Sequence, residues 1–199
     1  MKFTLTLLVS VILCFCKQKT DNAKILFLDS NLKDTTKSLV RFISDRHSSL
    51  FETPIEVRLL LNGQTYDSII KSDFRMISWY SSRGDTIDLV AHIGDFETSA
   101  LLLRFINEKL EVFHYRAPHS GQHYFRLNKT DPFTNQIEVP PVKYKLSLSQ
   151  IPDTIKKPVI FGQIDMESSG YYDKRDTLQQ QHSIKMKFSF RSQFRRFKY

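Results

Sequence analysis

"IKMKFSFR", residues 184 to 191, alternates apolar and polar positions without a break. Successive side chains of an extended chain point to opposite faces, so Ile184, Met186, Phe188 and Phe190 share one face and Lys185, Lys187, Ser189 and Arg191 the other. Wound into a helix, the same residues would scatter both sets around the axis. The stretch reads as a half-buried strand with a solvated cationic face.

Working outward, the same period recurs. Val142, Tyr144, Leu146 and Leu148 oppose Lys143, Lys145, Ser147 and Ser149; Ile55, Val57, Leu59 and Leu61 oppose Glu56 and Arg58. Ile87, Leu89, Ala91 and Ile93 are set against Asp88 and His92. Phe74 to Tyr80 and Ile87 to Ile93 flank "SSRGD", where Gly84 can take positive φ and close a hairpin. Leu101 to Ile106 and Leu110 to Tyr115 are joined by Asn107-Glu108-Lys109, and Tyr66 to Ile70 and Val159 to Met166 complete the set. Turn cues every ten to twenty residues, with 16 Phe and 8 Tyr suited to pleated surfaces, predict an all-β fold. The expected form is an antiparallel β-sandwich or barrel-like single domain, with one short N-terminal helix over Leu32 to Asp45, where Leu32, Thr36, Leu39, Val40 and Ile43 recur at helical spacing. "NKTDPFTNQIEVPP", residues 128 to 141, has the composition of a domain boundary, but the part beyond it offers about three strands, too few for a separate core.

Four short runs share Asp, a small hydroxyl residue and an aliphatic one, beginning at Asp67, Asp85, Asp153 and Asp176. Their irregular spacing excludes a solenoid. The reading is local: the carboxylate closes a turn onto nearby amides and the aliphatic residue begins the next strand, so these are strand entries and not catalytic acids.

The formal charge of the whole chain is +8, and its placement says more than its size. Residues 185 to 199 carry six cations, Lys185, Lys187, Arg191, Arg195, Arg196 and Lys198, and no acid. The body from 16 to 184 is close to neutral, so it lacks the electrostatic footprint of a nucleic-acid binder, and no nucleic-acid partner is expected. Attraction of the basic end to anionic headgroups fits better than nucleic acid, and the leading reading is plainer still: the solvated face of a half-buried strand followed by a frayed or docked terminus.

At the other terminus Met1-Lys2 precedes an apolar run from Phe3 to Leu13, too short for a membrane span and of signal-peptide length. Both cysteines of the chain follow it, in Leu13-Cys14-Phe15-Cys16, and then Lys17-Gln18-Lys19-Thr20-Asp21-Asn22. This resembles a bacterial lipoprotein signal of the Bacteroidota type, with leucine three residues before the cysteine and a polar tether after it. The resemblance covers about the first twenty residues and implies a signal peptide over 1 to 15, diacylglyceryl attachment at Cys16 and a lipidated tether over 16 to 24. The alternating strands then make 25 to 199 a single β-rich domain. Phe15 stands where that pattern has a small residue, and Cys14, after Val11-Ile12-Leu13, is the second candidate acceptor. The two cysteines are too close in sequence to bridge without strain, and two alone do not make a structural zinc site. The expected address is the cell envelope, anchored by lipid to the outer membrane. The expected partners are the membrane and an unidentified protein or small-molecule ligand, with no cofactor.

Chemistry-bearing residues are few. "HYRAPHSGQHY" places His114, His119 and His123 within ten residues, a candidate ligand or metal segment, although Pro118 and Gly121 exclude the helical display of common zinc motifs. Packed or solvated histidines are the competing reading. Asp88, His92, Asp95 and Glu97 lie on or just after one strand, and Trp79-Tyr80 and Tyr171-Tyr172 offer an aromatic ligand surface or plain core. The chain has no nucleophile elbow, His-Glu-x-x-His, phosphate loop or dinucleotide fingerprint. The expectation is therefore a lipid-anchored binding or structural module. An envelope hydrolase or metal-binding protein using His114 to His123 is the alternative.

Overall fold

The computed structural model describes residues 24–32, 37–38, 50–52, 55–61, 64–65, 70–72, 75–93, 97–118 and 123–196. In chain order the strands are β1 (Lys24–Leu28), β2 (Lys37–Ser38), β3 (Leu50–Glu52), β4 (Ile55–Leu61), β5 (Gln64–Thr65), β6 (Ile70–Ser72), β7 (Arg75–Arg83) and β8 (Thr86–Ile93). They continue with β9 (Glu97–Ile106), β10 (Lys109–Pro118), β11 (Phe125–Arg126), β12 (Ile137–Val139), β13 (Pro141–Leu148), β14 (Ile160–Ser168), β15 (Tyr172–Asp173) and β16 (His182–Phe194). The fold is all-β, and no helix occurs among the described residues. Of the expected helix over Leu32 to Asp45, only Leu32 and Lys37–Ser38 are described, and the latter pair is strand β2; the remainder lies outside the described residues, as do Tyr66 to Ile69.

Fourteen strands form one sheet, with the path β1-β13-β14-β16-β7-β8-β9-β10-β12, while β11 and β15 pair separately. Most pairings are antiparallel, as expected, but the sheet is mixed: β1 runs parallel to β13, and β16 parallel to β7. The chain passes between the layers at two places. β16 pairs with β4 and β14 along most of its length and then with β7 through Gln193 and Phe194. On the opposite side β12 pairs with β10, and β13, one residue later across Pro140, pairs with β14. The two layers therefore enclose a common interior, as in a flattened barrel.

That interior is where the alternation points. Ile184, Met186, Phe188 and Phe190 are all buried, and they pack with Leu146 and Ile164 against Leu89, Leu101 and Leu103 of the facing layer. Each such side chain contributes about 1.5–3 kcal/mol by leaving water. Val142 departs from the pattern. A bulge between Pro141 and Lys143 shifts the register, leaving Val142 39% exposed.

Hairpin geometry fixes the first layer. Gly84 turns β7 into β8 with φ 59°. Between β9 and β10, Asn107 and Glu108 both take positive φ, 48° and 67°, which a two-residue hairpin needs if its twist is to match the strands. Where β16 crosses to β7, the buried hydroxyls of Ser78 and Ser192 hydrogen-bond to each other, and Ser78 Oγ also reaches the Val90 carbonyl at 3.0 Å. Small polar side chains satisfy the backbone there where larger ones would hold the strands apart.

Candidate functional site

The β9–β10 hairpin sets the surroundings of His114. Its register pairs His114 with Leu101 and Arg116 with Ser99, so Ser99 and His114 are diagonal neighbours on the inner face. Ser99 Oγ and His114 Nε2 share a hydrogen bond at 2.7 Å. His114 has no exposed surface, and its buried Nδ1 has no hydrogen-bond partner among the described residues. Burial, reinforced by the nearby Arg116 charge, pushes the imidazole pKa down to about 3.

A second, smaller apolar cluster closes this end of the molecule, made of Phe125, Ile137, Val139 and Tyr171 with Leu127 against it. The Tyr171 ring meets His114 edge-on at 5.9 Å and stacks on His182 at 5.6 Å. His182 Nε2 lies 3.2 Å from Asp176 Oδ2. The Arg116 guanidinium sits over the Phe125 and Tyr171 rings at 5.0 and 5.6 Å. The structure thus lines up Ser99, His114, Tyr171, His182 and Asp176, with Arg116 alongside.

A hydroxyl bonded to an imidazole suggests an activated nucleophile. The surroundings oppose it. An imidazole held near pKa 3 is a weak proton acceptor at neutral pH, no group among the described residues orients its Nδ1, and Ser99 is only 8% exposed. The pair seals the end of the interior around a neutral histidine.

The other members of the histidine segment are not seen joining it. His123 is half-buried just ahead of β11, and His119 lies outside the described residues. No group of three or more His, Cys, Asp or Glu that could hold a metal occurs among the described residues. Cys14, Cys16 and Asp95 also lie outside the described residues.

Strand alternation divides the expected aromatic surface. Tyr80 is fully buried and donates its hydroxyl proton to the Pro158 carbonyl at 2.7 Å; burial and Asp153 push its pKa up to about 12. Its neighbour Trp79 faces outward, stacked on His92 at 4.8 Å with the Arg195 guanidinium 5.6 Å from the ring. Tyr171 is buried and Tyr172 half-buried. On the same outer face Arg104 forms a paired bond to Glu138 at 2.7 and 2.8 Å and another to Asp88 at 3.0 Å. Asp88 therefore belongs to an ion-pair network with Arg104 and Glu138, while His92 packs against Trp79.

At two places the aspartate closes its turn as expected, but Ile155 and Leu178 stay exposed in the turn and do not begin the next strand, which starts at Ile160 and His182. Asp153 Oδ1 accepts from the amides of Ile155 and Lys156, and the Asp176 carboxylate from those of Leu178 and Gln180. For Asp153 these bonds lower the carboxyl pKa; for Asp176 burial raises it, and the amide bonds with His182 more than offset that. Asp67 lies outside the described residues, and Asp85 directly precedes β8. Asp176 does more than the sequence suggested, because it also holds His182.

The chain matches no protein-family model, no curated protein and no solved structure.

Proposed function

We propose that the protein is a lipid-anchored component of the cell envelope that works by binding or structural interaction. The observation that carries this reading is Cys16, which follows an apolar run ending in Leu13 and precedes the polar stretch Lys17 to Asn22. Two acyl chains on one cysteine suffice for stable anchoring, where one binds marginally. Support from the body is indirect. Its most strongly perturbed histidine is sealed in the interior, away from any substrate, while apolar side chains stand exposed on β1, close in sequence to the anchor.

The test is metabolic labelling with palmitate in the native host, with intact-mass measurement of the purified chain. Wild type is expected to incorporate label and to begin at Cys16 with the added mass of the lipid. Cys16→Ser is expected to lose the label entirely and to leave the membrane fraction. Unchanged labelling in Cys16→Ser, with loss in Cys14→Ser, would move the anchor to Cys14. Unmodified chains beginning at Met1 in wild-type cells would end the reading.

A further inference from the structure

Ile25 and Phe27 are large apolar side chains on the edge strand β1, 39% and 44% exposed. Register places them on the outer face, opposite Lys145 and Ser147, while Leu26 turns inward with Leu146. The Lys145 ammonium lies 5.5 Å from the centre of the Phe27 ring. From this edge two rows of side chains cross the sheet. One runs Lys145, Asp165, Lys187, and the other Lys143, Glu167, Lys185. Glu167 meets Lys143 and Lys185 at 3.3 Å each. Four lysines against two acids leave the face cationic, and an apolar pair stands at its rim.

Two features point to one occupant. The first is reach: the eight residues from Cys16 to Ala23 span at most about 28 Å at roughly 3.5 Å each, so an acylated Cys16 holds β1 close to the bilayer. The second is chemistry. Exposed apolar side chains within a field of lysines suit the headgroup level of an anionic membrane, rings at the acyl boundary and ammonium groups among phosphates. We propose that the outer face of β1, β13, β14 and β16 lies on an anionic lipid bilayer, with Ile25 and Phe27 as its inserted contacts. The nearness argument rests on the anchor reading above; the surface chemistry does not.

Trp79 is the only tryptophan of the chain and stands on the outer face of the opposite layer. It is a built-in control. Protein purified from the native host is reconstituted into phosphatidylglycerol-rich vesicles containing brominated lipid, as wild type and as Trp79→Phe with Phe27→Trp. Quenching is expected to be several-fold stronger at position 27 than at 79. It should weaken in Lys145→Glu with Lys187→Glu, and in about 1 M salt, where the Debye length falls to about 3 Å. Amine labelling of the unsubstituted chain gives the same answer without a tryptophan exchange. Lys143, Lys145 and Lys187 should lose reactivity on vesicles, while Lys109, at the tip of the β9–β10 hairpin, keeps it. Intact mass of each sample separates the two ideas. An acylated chain with no quenching at 27, or with more at 79, overturns the docking face and leaves the anchor standing. An unacylated chain still quenched at 27 overturns the anchor and leaves the face. Loss of both signals overturns both.

Discussion

Lowering the pH from 7 to 4.5 is expected to cost the fold about 2–3 kcal/mol through His114 alone, since its pKa is held near 3 when folded and returns to about 6.5 on unfolding. The native state keeps the imidazole neutral. Below pH 6.5 the unfolded chain takes up a proton that the folded chain refuses, so stability is full above that value and drains away as pH falls toward 3. Proton entry is opposed chiefly by burial, since the charged imidazolium would lose its water, and the Arg116 charge adds repulsion. The Tyr171 ring packs edge-on against the imidazole. His92, whose pKa is also lowered by burial, adds to the slope in the same direction. For Asp173 burial raises the pKa, and the bonds from Arg175 with the Arg175 and Arg116 charges more than offset it. Asp153, Asp173 and Asp176 are thus all lowered below the ordinary carboxylate value and act only below about pH 4.

Urea unfolding at pH 7.0, 6.0, 5.0 and 4.5, with His92→Gln as background, measures the His114 contribution. Replacing His114 by Phe together with Ser99 by Ala removes the titrating group without stranding its hydroxyl partner. This double variant is expected to lose most of the slope while staying folded at pH 7. A slope equal to that of the background would mean that His114 is hydrated in solution and that this end of the interior is open.

How much of this was legible can be traced residue by residue. The inner face of β16 follows from its alternation, because a sheet with one buried face punishes any slip of register. The Ser99–His114 contact was also within reach: once the two-residue turn at Asn107 and Glu108 is fixed, counting back along both strands puts the two side chains on one face as diagonal neighbours. The contact of Tyr171 with His114 and His182 was not, because it joins β10 to Tyr171 and the start of β16, far along the chain, through packing that no local pattern encodes. β1 escaped for a different reason. "KILFL" does not alternate, since both faces of this parallel edge strand carry apolar side chains. The same feature makes it a candidate membrane contact. The inward reading of Val142 failed because the bulge beside Pro141 has no signature beyond the proline pair itself.

Gly162→Ala is expected to destabilise the protein by about 2–3 kcal/mol, because the position is a lock for Phe190. Gly162 and Phe190 are register partners on adjacent strands, and the Phe190 ring lies across the glycine on the inner face. A Cβ at 162 would overlap that ring. The ring has nowhere to go, being 1% exposed and packed among the side chains that join the two layers, with Phe188 edge-on at 6.2 Å. Backbone strain plays no part, since Gly84 is the one described glycine with positive φ; the requirement at 162 is space. Thermal unfolding should show a drop of about 5–10 °C for a domain of this size. Phe190→Leu alone loses packing, but combined with Gly162→Ala it clears room for the methyl group, so the double variant should be more stable than Gly162→Ala by itself. Phe190→Ala with Gly162→Ala should likewise cost less than the two single changes added together, by about 1 kcal/mol or more, because each relieves the other. Strict additivity in both cycles would show that the ring does not lie over the glycine, and would break the register between β14 and β16 on which the cationic outer face depends.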